Sequence, residues 1–316
     1  MTGWPARLHV VTGKGGTGKT TVAAALALAL AAGGRRTLLV EVEGRQAIAQ
    51  LFDSPPLPYE ERPIAIAAGD GEVRALAVDA EEALLEYLDM FYRLGAAGRA
   101  LRRLGAIDFA TTIAPGLRDV LLTGKVKEAT TRTVDHRRFY DAVVLDAPPT
   151  GRIGRFLNVT AETARLAKVG PIKTQSEGVA ALLRSPMTAV HVVTVLEEMP
   201  VQETVDAITE LNSLGIPVGR VVVNATRAPL LAGRPALAEL RRGLVAAGLP
   251  ADRDIVAGLL TEAQGQLIRQ ELEESLRTDL AELGLPMVEL PLLPDGIDRA
   301  GLDAMAETLA GSHLST

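Results

Sequence analysis

The sequence contains no cysteine among its 316 residues. Disulfides, thiolate metal sites and iron–sulfur clusters all require cysteine sulfur, so each of them is excluded. An excess of positive charge is missing too, because 33 basic residues stand against 39 acidic ones and the formal net charge is -6. A general nucleic-acid binder is therefore not expected, since such proteins attract phosphate through basic surfaces.

Long hydrophobic runs are also lacking. The longest uncharged stretch extends from Thr20 to Gly34, which is shorter than the roughly 20 residues that a membrane-spanning helix needs. The first apolar run leads directly into a glycine-rich loop, without the charged region, apolar region and cleavage site of a secretory signal. These features predict a cytoplasmic protein, and any contact with a membrane is expected to come through a partner.

Seven strand-like segments recur along the chain, and most of them are continuous runs of valine and leucine. Such runs indicate strands that are buried on both faces, as in a parallel sheet. Helical segments lie between the strands, and this alternation predicts a doubly wound α/β fold with a mainly parallel sheet. The predicted strands are 7–13, 36–42, 72–79, 140–146, 189–195, 219–224 and 286–291.

Two regions interrupt the alternation of strands and helices. Residues 80–133 and 156–187 carry helix-like sequence without a strand pattern. We interpret both as insertions that build a helical subdomain within a single α/β domain of residues 1–316. The proline-rich stretch 54–63 is predicted to be a loop, and the final residues, GSHLST, are predicted to form a disordered tail.

Residues 13–21, GKGGTGKTT, match the phosphate-binding pattern G-x-x-x-x-G-K-[ST] between a predicted strand and a predicted helix. Backbone N–H groups of such a loop surround the phosphates of ATP or ADP, and the helix N-terminus adds positive partial charge. Lys19 would reach the β- and γ-phosphates, while the Thr20 hydroxyl would bind Mg²⁺. The predicted nucleotide-binding residues of the loop are Gly13, Lys14, Gly15, Gly16, Thr17, Gly18, Lys19, Thr20 and Thr21.

A second segment suited to phosphate chemistry is VVLDAPPTGRIGRFL, residues 143–157. Asp146 ends a predicted strand, where a carboxylate can hold a water molecule of the Mg²⁺ shell. In the turn that follows, the N–H group of Gly151 is available to the γ-phosphate. A loop of this kind senses whether that phosphate is present.

The second lysine of the loop, Lys14, points to a particular family. GKGGTGKT resembles the deviant phosphate loop K-G-G-x-G-K-[ST] of the arsenite-pump, Min/Par and nitrogenase iron-protein group of ATPases. Residues 143–157 are similar to the switch D-T-A-P-T-G-H-T-L-R-F-L of the arsenite-pump and tail-anchored-protein targeting ATPases, with Arg152 in place of the histidine. The resemblance implies that Lys14 crosses a dimer interface and contacts the partner's nucleotide.

EVEGRQAIAQLF, residues 41–52, resembles the first switch of this family, D-P-A-H-N-L-S-D-x-F. The resemblance places Glu43 on the aspartate that positions or activates the attacking water. Glutamate is one methylene longer, and in-line attack tolerates little misplacement, so efficient hydrolysis is less firmly implied than nucleotide binding. Glu41 shares the strand face of Glu43, either as a charged strand end or in a role with Mg²⁺ or water.

Three further segments resemble the family in the correct order. TVLEEMPVQET (194–204) is similar to P-E-x-L-S-L-x-E-T and puts Glu197 at a position that contacts nucleotide. VVVN ends at Asn224, where the family's asparagine recognises adenine through its amide. LPLLPD (290–295) resembles the loop that closes over the base, which implies that Pro291 and Leu292 bind nucleotide.

The resemblance implies an ATP-dependent switch that works as a dimer, either of identical chains or with a related ATPase chain. Without cysteine, the chain has no thiolate ligands for arsenic or antimony, so metalloid transport through thiolates is not expected. The tail GLDAMAETLAGSHLST lacks the basic residues of a membrane-targeting helix. The short basic cluster GRALRRL (98–104) is not expected to bind DNA.

Three functions remain open. The chain is an ATPase that chaperones a hydrophobic or membrane-protein client, the ATPase component of an anion transporter in the membrane, or a weakly hydrolysing regulatory subunit paired with a related ATPase chain. The first is suggested by apolar residues at helical spacing, which would form a client groove or simply pack on the core. These residues are Leu84, Leu85, Leu88, Phe91, Tyr92 and Leu94.

Overall fold

The computed structural model describes residues 4–92, 115–158, 171–294 and 296–312. Its described strands are β1 (Leu8–Gly13), β2 (Arg36–Glu41), β3 (Arg62–Ala67), β4 (Gly71–Ala77), β5 (Thr133–Val134), β6 (Arg137–Arg138), β7 (Ala142–Asp146), β8 (Thr188–Thr194), β9 (Val218–Thr226) and β10 (Met287–Pro291). Eight of them form one sheet in the order β10-β9-β8-β1-β7-β2-β4-β3. All neighbours are parallel except β3 and β4. The predicted mainly parallel sheet is confirmed.

Helices cover both faces of this sheet. The described helices are α1 (Lys19–Ala31), α2 (Ala47–Leu51), α3 (Ala80–Tyr92), α4 (Pro115–Thr131), α5 (Thr150–Leu157), α6 (Pro171–Leu183), α7 (Glu198–Ser213), α8 (Leu237–Ala246), α9 (Arg253–Ala281) and α10 (Arg299–Gly311). None of these described helices combines the length and the apolar character needed to cross a membrane.

The strands of the sheet feed two hydrophobic cores, one on each face. In β2, Leu38 and Val40 join one core and Leu39 joins the other, because successive strand side chains point to opposite faces. Helix α1 fills the second core, and no residue from Val22 to Ala31 is more than 4% exposed. Its alanines let the helix lie close to the sheet on one side and to α10 on the other, which fixes the loop that precedes it.

The described part of the first helical region packs against the other core. Leu84 on α3 is only 7% exposed, and Leu85 is partly buried against the same cluster. Val120 and Leu121 on α4 are buried there as well. For Leu84 and Leu85, packing on the core therefore accounts for the apolar pattern. The side chains of Leu88, Phe91 and Tyr92, together with Leu94 and residues 98–104, lie outside the described residues.

Three details correct the sequence-based predictions. The interpretation of 54–63 as a loop is wrong at its end, because β3 begins at Arg62. Pro63 is tolerated there since β3 is an edge strand and needs fewer N–H donors. Helix α9 extends over 29 residues without a predicted counterpart, because only five of them are buried and no apolar stripe marks it. Helix α10 continues through Gly311, so the predicted tail begins too early.

A buried histidine pair lies near the amino end of β1, away from the glycine-rich loop. His9 Nδ1 and His191 Nε2 are 3.1 Å apart, and the indole of Trp4 meets both rings edge-on. Arg220 lies 4.7 Å from the centre of the Trp4 ring. Burial lowers the pKa of His9 to about 4 and holds the pKa of His191 well below its ordinary value. Both imidazoles are therefore neutral at pH 7.

This pair predicts a loss of stability in mild acid. The pKa of His9 is about 4 in the folded protein and 6.5 in the unfolded chain, so between these pH values the unfolded chain binds more protons. The full free energy of unfolding is therefore present above pH 6.5, and it decreases as the pH falls towards 4. For one such histidine the loss is about 2 kcal/mol between pH 7.5 and pH 5. Urea unfolding at both pH values measures it.

The matched comparison uses His9→Gln with His191→Gln against His136→Gln, which replaces an exposed histidine. The double variant should lose less stability on acidification than the parent, whereas His136→Gln should behave as the parent does. Equal losses in all three proteins would contradict a neutral, buried histidine pair.

Candidate functional site

The carboxyl ends of three neighbouring strands meet beside residues 13–21, called the phosphate loop below. In the sheet register, Val11 of β1 lies opposite Asp146 of β7, and Asp146 lies opposite Glu41 of β2. Ligands of open parallel sheets bind at this end, where the chain leaves the strands. The phosphate loop and the segments that follow Asp146 and Glu41 are therefore brought together.

The shape of the phosphate loop requires glycine at two positions. Gly18 has a φ of +85°, and a Cβ there would overlap the carboxamide nitrogen of Asn224. A Cβ at Gly13 would overlap the carbonyl oxygen of Val193 on β8. Asn224 Nδ2 donates to the carbonyl oxygen of Thr17 at 2.9 Å. β8 and β9 thus contact the loop at Gly13, Thr17 and Gly18 and hold it in place.

The outer side of the loop is open. A Cβ on Gly15 or Gly16 would have no described atom within 4 Å. Gly18 is the N-cap of α1, and the first N–H groups of a helix have no carbonyl partner within it. An anion on this side would meet backbone donors and the positive end of the helix dipole.

Lys19, the first residue of α1, lies almost buried between two carboxylates. Its Nζ is 3.5 Å from Oε2 of Glu43 and 3.6 Å from Oδ1 of Asp146. The hydroxyl of Thr20 donates to Oδ2 of Asp146 at 2.7 Å, and Thr21 follows in the same turn, partly buried. A buried ammonium requires negative partners, and these two carboxylates supply them.

Asp146 has the chemistry of a carboxylate in the outer shell of Mg²⁺. Burial raises its pKa, Lys19 and Thr20 lower it, and the charges of Glu41 and Glu43 raise it further. Its Oδ1 is buried without a hydrogen-bond partner, so this oxygen can accept a bond from a metal-bound water. Among the described residues, no group of three or more His, Asp or Glu could hold a metal by itself.

Three cations surround the carboxylate of Glu43, whose side chain is 12% exposed. Lys19 is the nearest; Arg45 Nε is 3.7 Å from Oε2, and an Nη atom of Arg152 is 3.8 Å from Oε1. Glu43 thus lies next to the lysine that is predicted to bind the γ-phosphate. Arg45 was not singled out by the sequence patterns, since nothing local to it indicates an ion pair with Glu43.

Glu41 has a structural role that neither sequence-based alternative included. Its side chain is 2% exposed, with one oxygen accepting from the N–H of Gln46 at 2.6 Å and the other from the N–H of Ile48 at 3.3 Å. The carboxylate therefore accepts hydrogen bonds from N–H groups at the start of α2, which have no carbonyl partner within the helix. It fixes the segment that carries Glu43.

Lys14 is held within its own chain by a residue that sequence reasoning missed. Its Nζ lies 2.5 Å from Oε1 of Glu203 on α7, and the other oxygen of Glu203 accepts from the Thr150 hydroxyl at 2.9 Å. The hydrogen bond from Lys14 lowers the pKa of Glu203. Glu203 lies in the segment 194–204 that resembles the family pattern, and its Glu-Thr ending was the signal that could have identified it.

Glu197 and Gly151 occupy helix starts on either side of this network. Glu197 is the N-cap of α7, but its exposed side chain makes no capping hydrogen bond. Gly151 is the second residue of α5 and is exposed. Its N–H belongs to the first turn, where donors have no intrahelical partner.

The residues predicted to contact the base lie at or near the carboxyl ends of two adjacent strands. Asn224 is on β9 and Pro291 ends β10, and the two strands pair in parallel. The Leu292 N–H donates to the carbonyl oxygen of Thr226 at 2.9 Å, and the Leu292 side chain is 43% exposed. Of these residues, Asn224 contacts the phosphate loop, through its bond to Thr17.

Comparisons with known proteins identify the family of this chain. A family model described as "Anion-transporting ATPase" matches residues 6–187. The chain is 55% identical to "ATPase BagA" of Mycobacterium tuberculosis, over 98% of this chain and 95% of that protein. It is 26% identical to "Arsenical pump-driving ATPase" of Acidiphilium multivorum, over 92% of this chain and 52% of the relative.

The matched residues include the phosphate loop, Glu43, Asp146 and Gly151, while the alignment with the mycobacterial relative spans nearly the whole chain. The resemblance inferred from the sequence is thereby confirmed. The chain belongs to the anion-transporting ATPase family, which includes the ATPases that drive arsenical pumps.

Proposed function

We propose that this chain binds ATP with Mg²⁺ in the phosphate loop and hydrolyses it, and that the nucleotide state controls a dimeric switch. The observation that carries the proposal is Lys19, held between Asp146 and Glu43 at the start of α1. An ammonium in this place exchanges its carboxylate partners for phosphate oxygens when ATP enters.

Thr20 and Asp146 would hold Mg²⁺, the first directly and the second through water. The Thr20 hydroxyl would turn from Asp146 to the metal, and Oδ1 of Asp146, which accepts no hydrogen bond in this structure, would accept one from a coordinated water. Mg²⁺ supplies neutralisation of the charge that develops on the phosphates. The N–H of Gly151 would donate to the terminal phosphate from the first turn of α5.

Glu43 would orient the attacking water. The water oxygen bonds to the γ-phosphorus as the bond to the bridging oxygen breaks, and the products are ADP, phosphate and a proton. Glu43 is supported in this role by its place next to Lys19 and by the capped segment that Glu41 fixes. Because positioning and electrostatics supply most of the catalysis of phosphoryl transfer, the exact reach of this longer side chain sets the rate.

The base would bind at the ends of β9 and β10. Since Asn224 uses its carboxamide nitrogen on Thr17, its oxygen is the atom offered to the adenine amino group. Pro291 and Leu292 would cover the ring with apolar surface, and Glu197 would approach the nucleotide from the exposed start of α7.

Dimerisation would use Lys14. Within one chain, Lys14 is bound to Glu203, which also holds Thr150 at the start of α5. Both partners are about one-third exposed, so the ion pair can open at small cost. Lys14 would then reach the nucleotide of a second chain, identical or related. The switch would act on a hydrophobic or membrane-protein client, or on a membrane transporter.

A second candidate is a regulatory subunit that binds ATP, hydrolyses it slowly and pairs with a related ATPase chain. The observation that favours it is the set of three cations around Glu43, which competes with water for its carboxylate. Steady-state release of phosphate separates the two candidates. Turnover at ordinary ATPase rates by this chain alone would exclude the second.

Two variants separate ATP binding from hydrolysis. Lys19→Ala should weaken ATP binding by about 100-fold or more, because a charged phosphate contact is lost. Glu43→Gln should keep ATP binding and lower phosphate release by about 100-fold. Calorimetric titration and steady-state phosphate release measure the two effects.

The matched control is Lys173→Ala, which removes an exposed lysine from its ion pair with Glu177 on α6. It should bind and hydrolyse ATP like the parent. If Lys19→Ala also bound ATP like the parent, the assignment of the phosphate loop would be wrong; unchanged turnover in Glu43→Gln would remove Glu43 from the mechanism.

Lys14→Ala tests the dimer contact. The variant should bind ATP normally, because Lys14 contacts Glu203 and not the phosphate side of its own loop. Nucleotide-dependent dimerisation and turnover should fall by about 10-fold or more, since the coupling between sites is lost. Analytical ultracentrifugation with ATP and Mg²⁺ measures the dimer.

Glu203→Gln is the companion variant, because it releases Lys14 without removing it. It should dimerise at least as readily as the parent. A Lys14→Ala protein that dimerises and turns over like the parent would show that Lys14 is only a loop residue.

A further inference from the structure

Two exposed arginines converge on Glu43 from different segments of the site. Arg45 follows β2, and its Nε is 3.7 Å from Oε2 of Glu43; Arg152, in the first turn of α5, places an Nη atom 3.8 Å from Oε1. Neither arginine matches the family patterns above, which have alanine and histidine at these positions. Both side chains therefore depart from these patterns.

The two arginines are held weakly. Their side chains are 69% and 63% exposed, whereas Glu43 is 12% exposed. Both ion pairs exceed hydrogen-bond length, and exposed pairs of this kind contribute little to stability. A guanidinium can bind a phosphate through two parallel N–H donors, which is a stronger contact than the long ion pair with Glu43. The arginines are thus free to exchange Glu43 for a stronger anion.

The arrangement of charges around Glu43 favours the terminal phosphate of a nucleotide as this anion. Glu43 and Asp146 face three cations, Lys19, Arg45 and Arg152. Glu41, the next carboxylate, is already bound to the N–H groups at the start of α2. Lys19 links this cluster to the phosphate loop, so an incoming terminal phosphate would arrive beside the guanidinium groups.

We propose that Arg45 and Arg152 bind the terminal phosphate of ATP in their own chain and, on doing so, release Glu43 to orient water. The inference rests on the proposed function, because it assumes that ATP occupies the phosphate loop. With ADP, the arginines stay paired with Glu43 and the carboxylate is neutralised. With ATP, the phosphate takes the arginines away from Glu43, so the same contact reads the nucleotide and permits hydrolysis.

The test compares ATP-like and ADP binding in Arg45→Gln, Arg152→Gln and the double variant. Calorimetric titrations with Mg²⁺ use ADP and the non-hydrolysable imido analogue of ATP. The double variant should bind ADP as the parent does and the analogue about 10-fold or more weakly, which is the effect of lost hydrogen bonds to a charged group. Arg152→Lys should bind the analogue more tightly than Arg152→Gln does, since lysine keeps the positive charge.

The control is Arg62→Gln, an exposed arginine paired with Glu60 at the edge strand β3, and it should leave both affinities unchanged. Thermal unfolding checks that each variant is folded. Because both arginine side chains are largely exposed, their replacement should leave the fold intact. An unchanged ratio of analogue affinity to ADP affinity in the double variant would overturn the inference, whether both affinities stay the same or both fall equally. If the parent itself bound neither nucleotide, the proposed function would fail first.

Discussion

An almost buried lysine that must face negative charge is the interaction on which this site depends. Lys19 begins α1, whose residues from Val22 to Ala31 are buried between the sheet and α10, and the side chain of Lys19 is only 11% exposed. Asp146 and Glu43 balance the charge from the carboxyl ends of two neighbouring strands. These two carboxylates are the partners that phosphate oxygens would replace under the proposed function.

The surroundings of this lysine are connected in a way that suits a switch. The Thr12 hydroxyl on β1 donates to the carbonyl oxygen of Pro148, just before α5. Glu203 ties Lys14 in the phosphate loop to Thr150 on the same helix. Helices α5 and α7 lie so close that a Cβ on Gly154 would overlap the carboxylate of Glu210. The phosphate loop, α5 and α7 are therefore in direct contact, as the proposed switch requires.

The sequence predicts the parts of this protein that have local patterns. Valine and leucine runs mark the central strands, and the phosphate loop has a spacing that identifies it without a structure. Contacts between distant residues carry no such mark: Lys14 and Glu203 are 189 positions apart. Arg45 and the capping role of Glu41 involve residues nearby in sequence, but they depend on the exact path of the chain after β2, which no residue pattern marks. The edge strand β3 and the largely exposed helix α9 also lack a periodic apolar pattern.

The most direct test is a crystal structure of the chain with Mg²⁺ and a non-hydrolysable ATP analogue. In that structure, Lys19 Nζ should leave Glu43 and Asp146 for the β- and γ-phosphate oxygens, and Thr20 should turn from Asp146 to the metal. Asp146 should then be separated from the metal by one water molecule. A nucleotide bound elsewhere, or bound in the loop with Lys19 still paired to both carboxylates, would contradict the account.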